Sequence, residues 1–322
     1  MKLFEIKWPS DIQDDIDITL NYPLYISNNI FDLREHGKRV ILEMVDTYPK
    51  LKLAYSGGMD SGFILCCIND LVNERKIPRD RIEIFQGIFT ASGVILTADF
   101  ERAIKFANSL GFNLRTEMFD VNDNVIEIAK YYEGHNYKVL GEAAFHVACQ
   151  NILARKQDGI VIENQVPAEL SYMKASHIPS VDCSYNTINF TTWDNDIFSS
   201  RITPFRLNQR KINYQPYENQ DYYDLKSCYQ TSHSLFTFEK WLGRWMIYLQ
   251  CYPEMMEILG KFNTIDKAIF DPTHECYNED VAKIMQLDWL EFGTWVPIKL
   301  PNGELFTEKH LLNYDEMKEG EK

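Results

Sequence analysis

Ser56-Gly57-Gly58-Met59-Asp60-Ser61 stands between two apolar runs, and its reading decides the fold. Upstream, Leu51-Lys52-Leu53-Ala54-Tyr55 reads as a buried strand; downstream, Gly62-Phe63-Ile64-Leu65-Cys66-Cys67-Ile68 reads as two turns of a buried helix. Such a junction leaves the first backbone N–H groups of the helix without acceptors, and the helix dipole adds positive potential there. The two together make an anion site. Gly57 and Gly58 let the main chain approach a phosphate closely and adopt dihedrals closed to other residues. Ser56 and Ser61 add hydroxyls. Asp60 repels a phosphate, so its presence implies a cation held between the two. No GxxxxGK[ST] occurs, and no lysine follows the glycines.

Working outward, strands and helices alternate. Residues 1–33 form a β-rich lead-in, with strand composition at 3–8 and 16–26. A helix is expected over 34–47 from the spacing of Val40, Ile41, Met44 and Val45. Further strands are expected at 82–89, 113–121 and 159–162, and helices at 99–107, 124–132 and 141–156, the first of them stopping at Gly111. This is the pattern of an α/β fold with a doubly wound parallel sheet over 34–190. Past residue 190 the alternation is lost, and 191–322 reads as a mainly helical substrate subdomain, with helices over 234–260 and 278–290. Phe236, Phe238, Trp241, Leu242, Trp245 and Leu249 form an apolar stripe that suits a core better than a stacking platform. Residues 295–300 and 305–307 around Asn302-Gly303 read as a hairpin.

Composition narrows the function. The chain has 322 residues, 45% of them hydrophobic and 13% aromatic, enough for a sizeable core. Acidic side chains outnumber basic ones by 47 to 33, for a net charge of −14, which disfavours general binding to nucleic acid or anionic membrane. Seven cysteines occur with no CxxC pair, so neither a zinc knuckle nor a redox dithiol is expected, and Cys66, Cys67, Cys149 and Cys251 fit as buried small hydrophobes. The N-terminal Met1-Lys2-Leu3-Phe4-Glu5 lacks an apolar signal core, and no run is long enough to span a bilayer, so a cytoplasmic protein is expected.

The six-residue stretch resembles the SGGxDS signature of the PP-loop ATP pyrophosphatases, whose loop holds the pyrophosphate end of ATP. Residues 34–175 are similar in arrangement to the synthetase domain of asparagine synthetase, which implies an adenine nucleotide alpha hydrolase-like fold, ATP and Mg²⁺ as cofactors, and cleavage between the α and β phosphates. The resemblance implies ATP contacts at Tyr55, Ser56, Gly57, Gly58, Met59, Asp60 and Ser61, with adenine against the backbone at Gly87, Ile88 and Phe89. Where the family often reads GxGADE, this chain reads Glu163-Asn164-Gln165-Val166-Pro167-Ala168-Glu169. Glu169 falls on the final Glu, Ala168 on the metal-binding Asp, and the glycines are missing. Mg²⁺ is then expected at Asp60 with Glu163 or Glu169, unless this loop serves a different substrate. Position 2 is Lys2 and only 55 residues precede Ser56, so no glutamine-hydrolysing half is expected, and ammonia or another amine must come from solution or a partner. Lys226-Ser227-Cys228-Tyr229 resembles a segment of the 7-cyano-7-deazaguanine synthases without the cysteines that hold their zinc.

These residues suit adenylation of a carboxylate-type small molecule or nucleobase, followed by attack of ammonia or an amine. Asp60, Glu169 and Lys226 are the candidate catalytic residues. Stabilising a departing diphosphate requires backbone donors, a metal and a cationic side chain. Lys174, Arg201, Arg206, Lys240 and Arg244 are further candidates for that cation, and His177 for a general base, whereas His146 lies on an apolar face and suits a core. Two rival readings are adenylation for sulfur transfer to RNA, against which the acidic charge counts, and a nucleotide-binding module without catalysis, for which Ala168 speaks. A phosphosulfate-reductase-like reading needs a reactive C-terminal cysteine, and Cys276 is a poor match.

Overall fold

The computed structural model describes residues 3–7, 16–26, 33–97, 100–133, 142–164, 172–174, 186–200, 248–258, 272–273, 277, 279, 295–313 and 316–317, with backbone alone at 132–133, 142–147, 172–174, 295 and 308. The chain opens with β1 (Phe4–Lys7), β2 (Asp17–Leu20) and β3 (Tyr25–Ile26). The single run expected over 16–26 breaks between β2 and β3, where Pro23 lacks the N–H that a ladder needs. α1 (Leu33–Thr47) follows, burying Val40, Ile41 and Met44 on one face.

The alternating core comes next: β4 (Leu51–Ala54), α2 (Met59–Asn73), β5 (Ile82–Ala91), β6 (Val94–Ile95), α3 (Phe100–Ser109), β7 (Arg115–Asp120), α4 (Val125–Glu133), α5 (Glu142–Arg155) and β8 (Ile160–Glu163). β5 runs two residues past the expected end. It then folds back through Ser92 and Gly93, both at positive φ, into the antiparallel β6. After β9 (Tyr172–Lys174) and β10 (Thr187–Asn189), the described chain continues through a helical stretch at 195–200, another at 248–251, β11 (Trp295–Lys299) and β12 (Leu312–Asn313). The helix expected over 234–260 is described only from residue 248. Pro253 turns it into a 3-10 segment, Pro253–Ile258, because its ring blocks a continuing α-helical ladder. The helix expected over 278–290 lies outside the described residues, apart from residue 279.

The central sheet is dominated by parallel pairs. β10, β8, β4, β5 and β7 lie in that spatial order, all parallel, and β6 is the antiparallel exception. From β4 the chain steps outward to β5 and β7. It then crosses to the far side of β4 for β8 and β10. Right-handed crossovers in opposite directions put helices on opposite faces of the sheet. One face carries α1, α2 and α3 over Leu51, Leu53, Ile82 and Ile84. The other carries residues of α4 and α5 over Phe85, Phe89, Phe119 and Val161. The reversal of strand order between β4 and β8 is a topological switch point, the place at the carboxyl ends of the strands where open α/β sheets bind ligands.

A smaller sheet joins distant parts of the sequence. β11 pairs parallel with β2 and antiparallel with β9, and β1 closes the other edge. Its core contains Leu3, Phe4, Ile18, Leu20, Val296, Ile298 and Phe306. The stretch at 195–200 links the two cores, with Ile197 in the large one and Phe198 in the small one. Among the described residues no helix is long and apolar enough to cross a membrane.

Candidate functional site

The signature loop lies on the β4 side of the switch point. Tyr55 still belongs to the sheet, its N–H donating to the Phe85 carbonyl at 2.8 Å. The Tyr55 ring is fully buried, and so is Met59, so these two residues offer a ligand only backbone. The chain turns off the sheet at Gly57, where φ is +83°. A Cβ there would lie 2.7 Å from the Ala103 Cβ of α3, so the loop is pressed against that helix. Gly58 caps α2 with extended backbone and no side-chain hydrogen bond. The first intrahelical bond runs from Gly62 N–H to Gly58 C=O, so the amides of Met59, Asp60 and Ser61 have no intrahelical acceptor. Ser56, Gly58 and Asp60 are half-buried and remain reachable.

The two serines mostly shape the loop. Their hydroxyls are 3.0 Å apart. Ser61 Oγ accepts from Ser56 N–H at 3.2 Å and Ser56 Oγ from Gly58 N–H at 3.3 Å. Ser61 is buried, so its hydroxyl serves this internal ring. From below, Gln86 Nε2 donates to the Ser56 carbonyl at 3.4 Å. Gln86 is 1% exposed, and its Oε1 has no partner among the described residues.

β8 supplies the other wall. Ile162 is in register with Leu53 and Glu163 with Asn189, which puts Glu163 between the ends of β4 and β10. Glu163 is 6% exposed, and burial pushes its carboxyl up to about 7 from 4.5. The next residue, Asn164, donates from Nδ2 to the Asp60 carbonyl at 2.9 Å and accepts at Oδ1 from the Thr191 hydroxyl. Asn189 Oδ1 accepts from Thr191 N–H at 3.0 Å. A buried amide network thus ties the crest of β8 and β10 to the first turn of α2.

A third element comes from far along the chain. The Tyr248 hydroxyl donates to Asp60 Oδ1 at 2.7 Å. Its ring stacks on Phe63 of α2, centroids 4.8 Å apart and planes at 22°.

The third strand-end site expected from sequence, Gly87 to Phe89, divides. Peptide groups in a strand point alternately to its two neighbours. Phe85 C=O faces the β4 side and bonds Tyr55. Phe89 also faces that side and is used by the hairpin: its N–H donates to Thr97 Oγ1 at 2.7 Å and its C=O accepts from Leu96 at 2.8 Å. Gly87 lies between them, half-buried, and its N–H and C=O take no backbone partner on that side among the described residues. The missing side chain at Gly87 also admits α5, since a Cβ would lie 2.4 Å from Leu153 Cδ2. Ile88 and Phe89 are core side chains.

The structure therefore brings together Ser56, Gly57, Gly58, Asp60, Ser61, Gly87 and Glu163 along one crest. Glu169 and Lys226 lie outside the described residues, as do Ala168, His177, Arg201, Arg206, Lys240 and Arg244; so do the side chains of His146 and Lys174. Among the described residues no cluster of three His, Cys, Asp or Glu forms a ready metal cage. Cys66, Cys67 and Cys149 are buried free thiols, and burial pushes each of them well above the usual thiol range, which suits inert packing. Sequence reading gave no role to Tyr248, Asn164, Gln86 or Ala103. Asn164 stood in the quoted second loop, whereas the i, i+4 spacing of Tyr248 and Tyr252 marks a shared helix face and not a contact with Asp60.

No family model and no curated protein matches the chain. Among solved structures the chain is similar to an NAD+ synthetase from Burkholderia pseudomallei, at 21% identity and a TM-score of 0.30. That match covers 45% of this chain and 57% of the synthetase, so the chain spans little more than half its length.

Proposed function

We propose that this protein is an ATP-dependent, AMP-forming ligase of the PP-loop pyrophosphatase type, acting on a carboxylate-bearing small molecule or nucleobase. The observation that carries the proposal is the Ser56–Ser61 loop, seated at the switch point and leading into the first turn of α2, where the helix dipole and the N-terminal amides favour an anion. The diphosphate lies on those amides. The adenine edge pairs with the N–H and C=O of Gly87, whose donor–acceptor spacing suits a purine amidine. A substrate carboxylate oxygen attacks the α-phosphorus; a new O–P bond forms, the bond from α-phosphorus to the bridging oxygen breaks, and pyrophosphate leaves with that electron pair. Ammonia or an amine then attacks the acyl carbon and AMP departs.

The residues present fit a divalent cation. Glu163 is a buried carboxyl with no compensating charge among the described residues, and the next residue, Asn164, bonds the carbonyl of Asp60 in the first turn of α2. Asp60 and Glu163 would hold Mg²⁺, which supplies charge neutralisation on the leaving diphosphate. The reading gives a second acidic role to Glu169 and the transition-state cation to Lys226. The experiment is formation of AMP and pyrophosphate from ATP with panels of carboxylates and ammonia. Asp60→Ala is expected to abolish pyrophosphate release in a protein that still folds, at a stability cost because the buried Tyr248 hydroxyl loses its acceptor. Turnover at the parent rate in that variant removes the metal role. Retained ATP with no AMP under any pairing favours a binding module, and RNA-dependent consumption favours sulfur transfer.

A further inference from the structure

We infer that Tyr248 is a positioning residue for the Asp60 carboxylate, so the C-terminal segment helps set how that carboxylate meets a divalent cation. The inference rests on the nucleotide-site reading above. Tyr248 is 1% exposed, and its hydroxyl donates to Asp60 Oδ1 at 2.7 Å across 188 residues of sequence. An ionised carboxylate has about four lone-pair positions, and a phenol donor on one of them orients the carboxylate plane.

The segment carrying Tyr248 is anchored independently of Asp60. One helical turn on, the Tyr252 hydroxyl donates to Asp70 Oδ2 at 2.8 Å. Arg34 grips the same carboxylate with bonds of 2.7 and 2.9 Å, and its guanidinium lies 4.9 Å from the Tyr252 ring centroid. Met255 and Ile258 are fully buried against α2 and α3. Phe63 is stacked by Tyr248 and met edge-on by Tyr252. With its backbone pinned by Tyr252 and Ile258, the segment presents the Tyr248 hydroxyl at a set height over the first turn of α2. The hydroxyl therefore acts on Asp60 as a fixed donor, one that would not simply follow the carboxylate.

The test is calorimetric binding of α,β-methylene-ATP, which cannot be cleaved between those phosphorus atoms, with Mg²⁺ and with EDTA. The parent protein is expected to bind more tightly with magnesium. Tyr248→Phe keeps the stacking ring and the EDTA affinity but loses about tenfold of the magnesium enhancement, the loss typical when a metal-ligating group's hydrogen-bond partner is removed. Tyr252→Phe keeps both its ring against Phe63 and the Tyr248 hydroxyl; it lowers the thermal unfolding temperature and loses less of the enhancement than Tyr248→Phe. Equal enhancement in Tyr248→Phe and parent overturns the inference. A parent that binds the analogue with no magnesium enhancement also overturns it, with the nucleotide loop left standing. A parent that binds no analogue under either condition brings down the nucleotide reading itself.

Discussion

Replacing Gly57 with alanine tests whether α3 holds the loop in shape. The residue sits at φ +83°, a conformation that costs an L-residue about 1–2 kcal/mol. Its new Cβ would meet the Ala103 Cβ at 2.7 Å, where ordinary contact begins at 3.4 Å. Neither partner is the far end of a flexible side chain, so α3 or the loop must shift, at about 1–3 kcal/mol. The single variant is therefore expected to lose about 2–5 kcal/mol. Ala103→Gly removes the obstacle. Alone it costs about 1 kcal/mol of helix propensity. Combined with Gly57→Ala it recovers the steric part and leaves the dihedral part, for a coupling of about 1–3 kcal/mol in the stabilising direction. Urea unfolding of the four proteins, followed by far-ultraviolet circular dichroism, measures the cycle. If the double variant is as unstable as the two single losses added together, the loop does not rest on α3 and the reasoning fails.

Two further outcomes follow from the crest. The folded state holds the Glu163 proton up to about pH 7, whereas an unfolded chain releases it near 4.5. Stability of the metal-free protein is then fully present below the lower value and declines as pH rises to the upper one, by about 3 kcal/mol for this group. Glu163→Gln removes that decline in thermal unfolding across the same window; an unchanged slope refutes the burial argument. Asn164→Ala breaks the bonds to the Asp60 carbonyl and the Thr191 hydroxyl, at about 1–3 kcal/mol. Adding Thr191→Val recovers part of it in chemical denaturation, and simple additivity counts against the shared network.

What sequence revealed and what it hid divide along a physical line. β4, the loop and α2 were legible because apolar runs, glycines and helix start signals all lie within twenty-odd positions of one another. α3 ended at Gly111 for the same local reason. The doubly wound parallel sheet was legible from alternation alone, whereas the order of its strands, and with it the switch point, came from the structure. The hairpin into β6 went unread, although Ser92-Gly93 is a turn signal, because only two residues return. Tyr248 was hidden for a different reason. Nothing within its own neighbourhood distinguishes a tyrosine that reaches Asp60 from one that fills the apolar stripe. Ala103 and Gln86 are similar cases, since their role is contact with a loop that sequence places elsewhere.

The parallel pairing of β11 with β2 has a consequence for biogenesis. Strands of the large sheet, through β10, emerge from the ribosome by residue 189 and can condense while synthesis continues. β2 emerges long before them, yet its neighbour on that edge spans 295–299. Until translation reaches that point, the flank of β2 waits with unsatisfied amides and a greasy face built from Ile18 and Leu20. A nascent chain stalled short of residue 295 should therefore be the species that chaperones hold and that clumps when they are scarce, even with its larger half already folded.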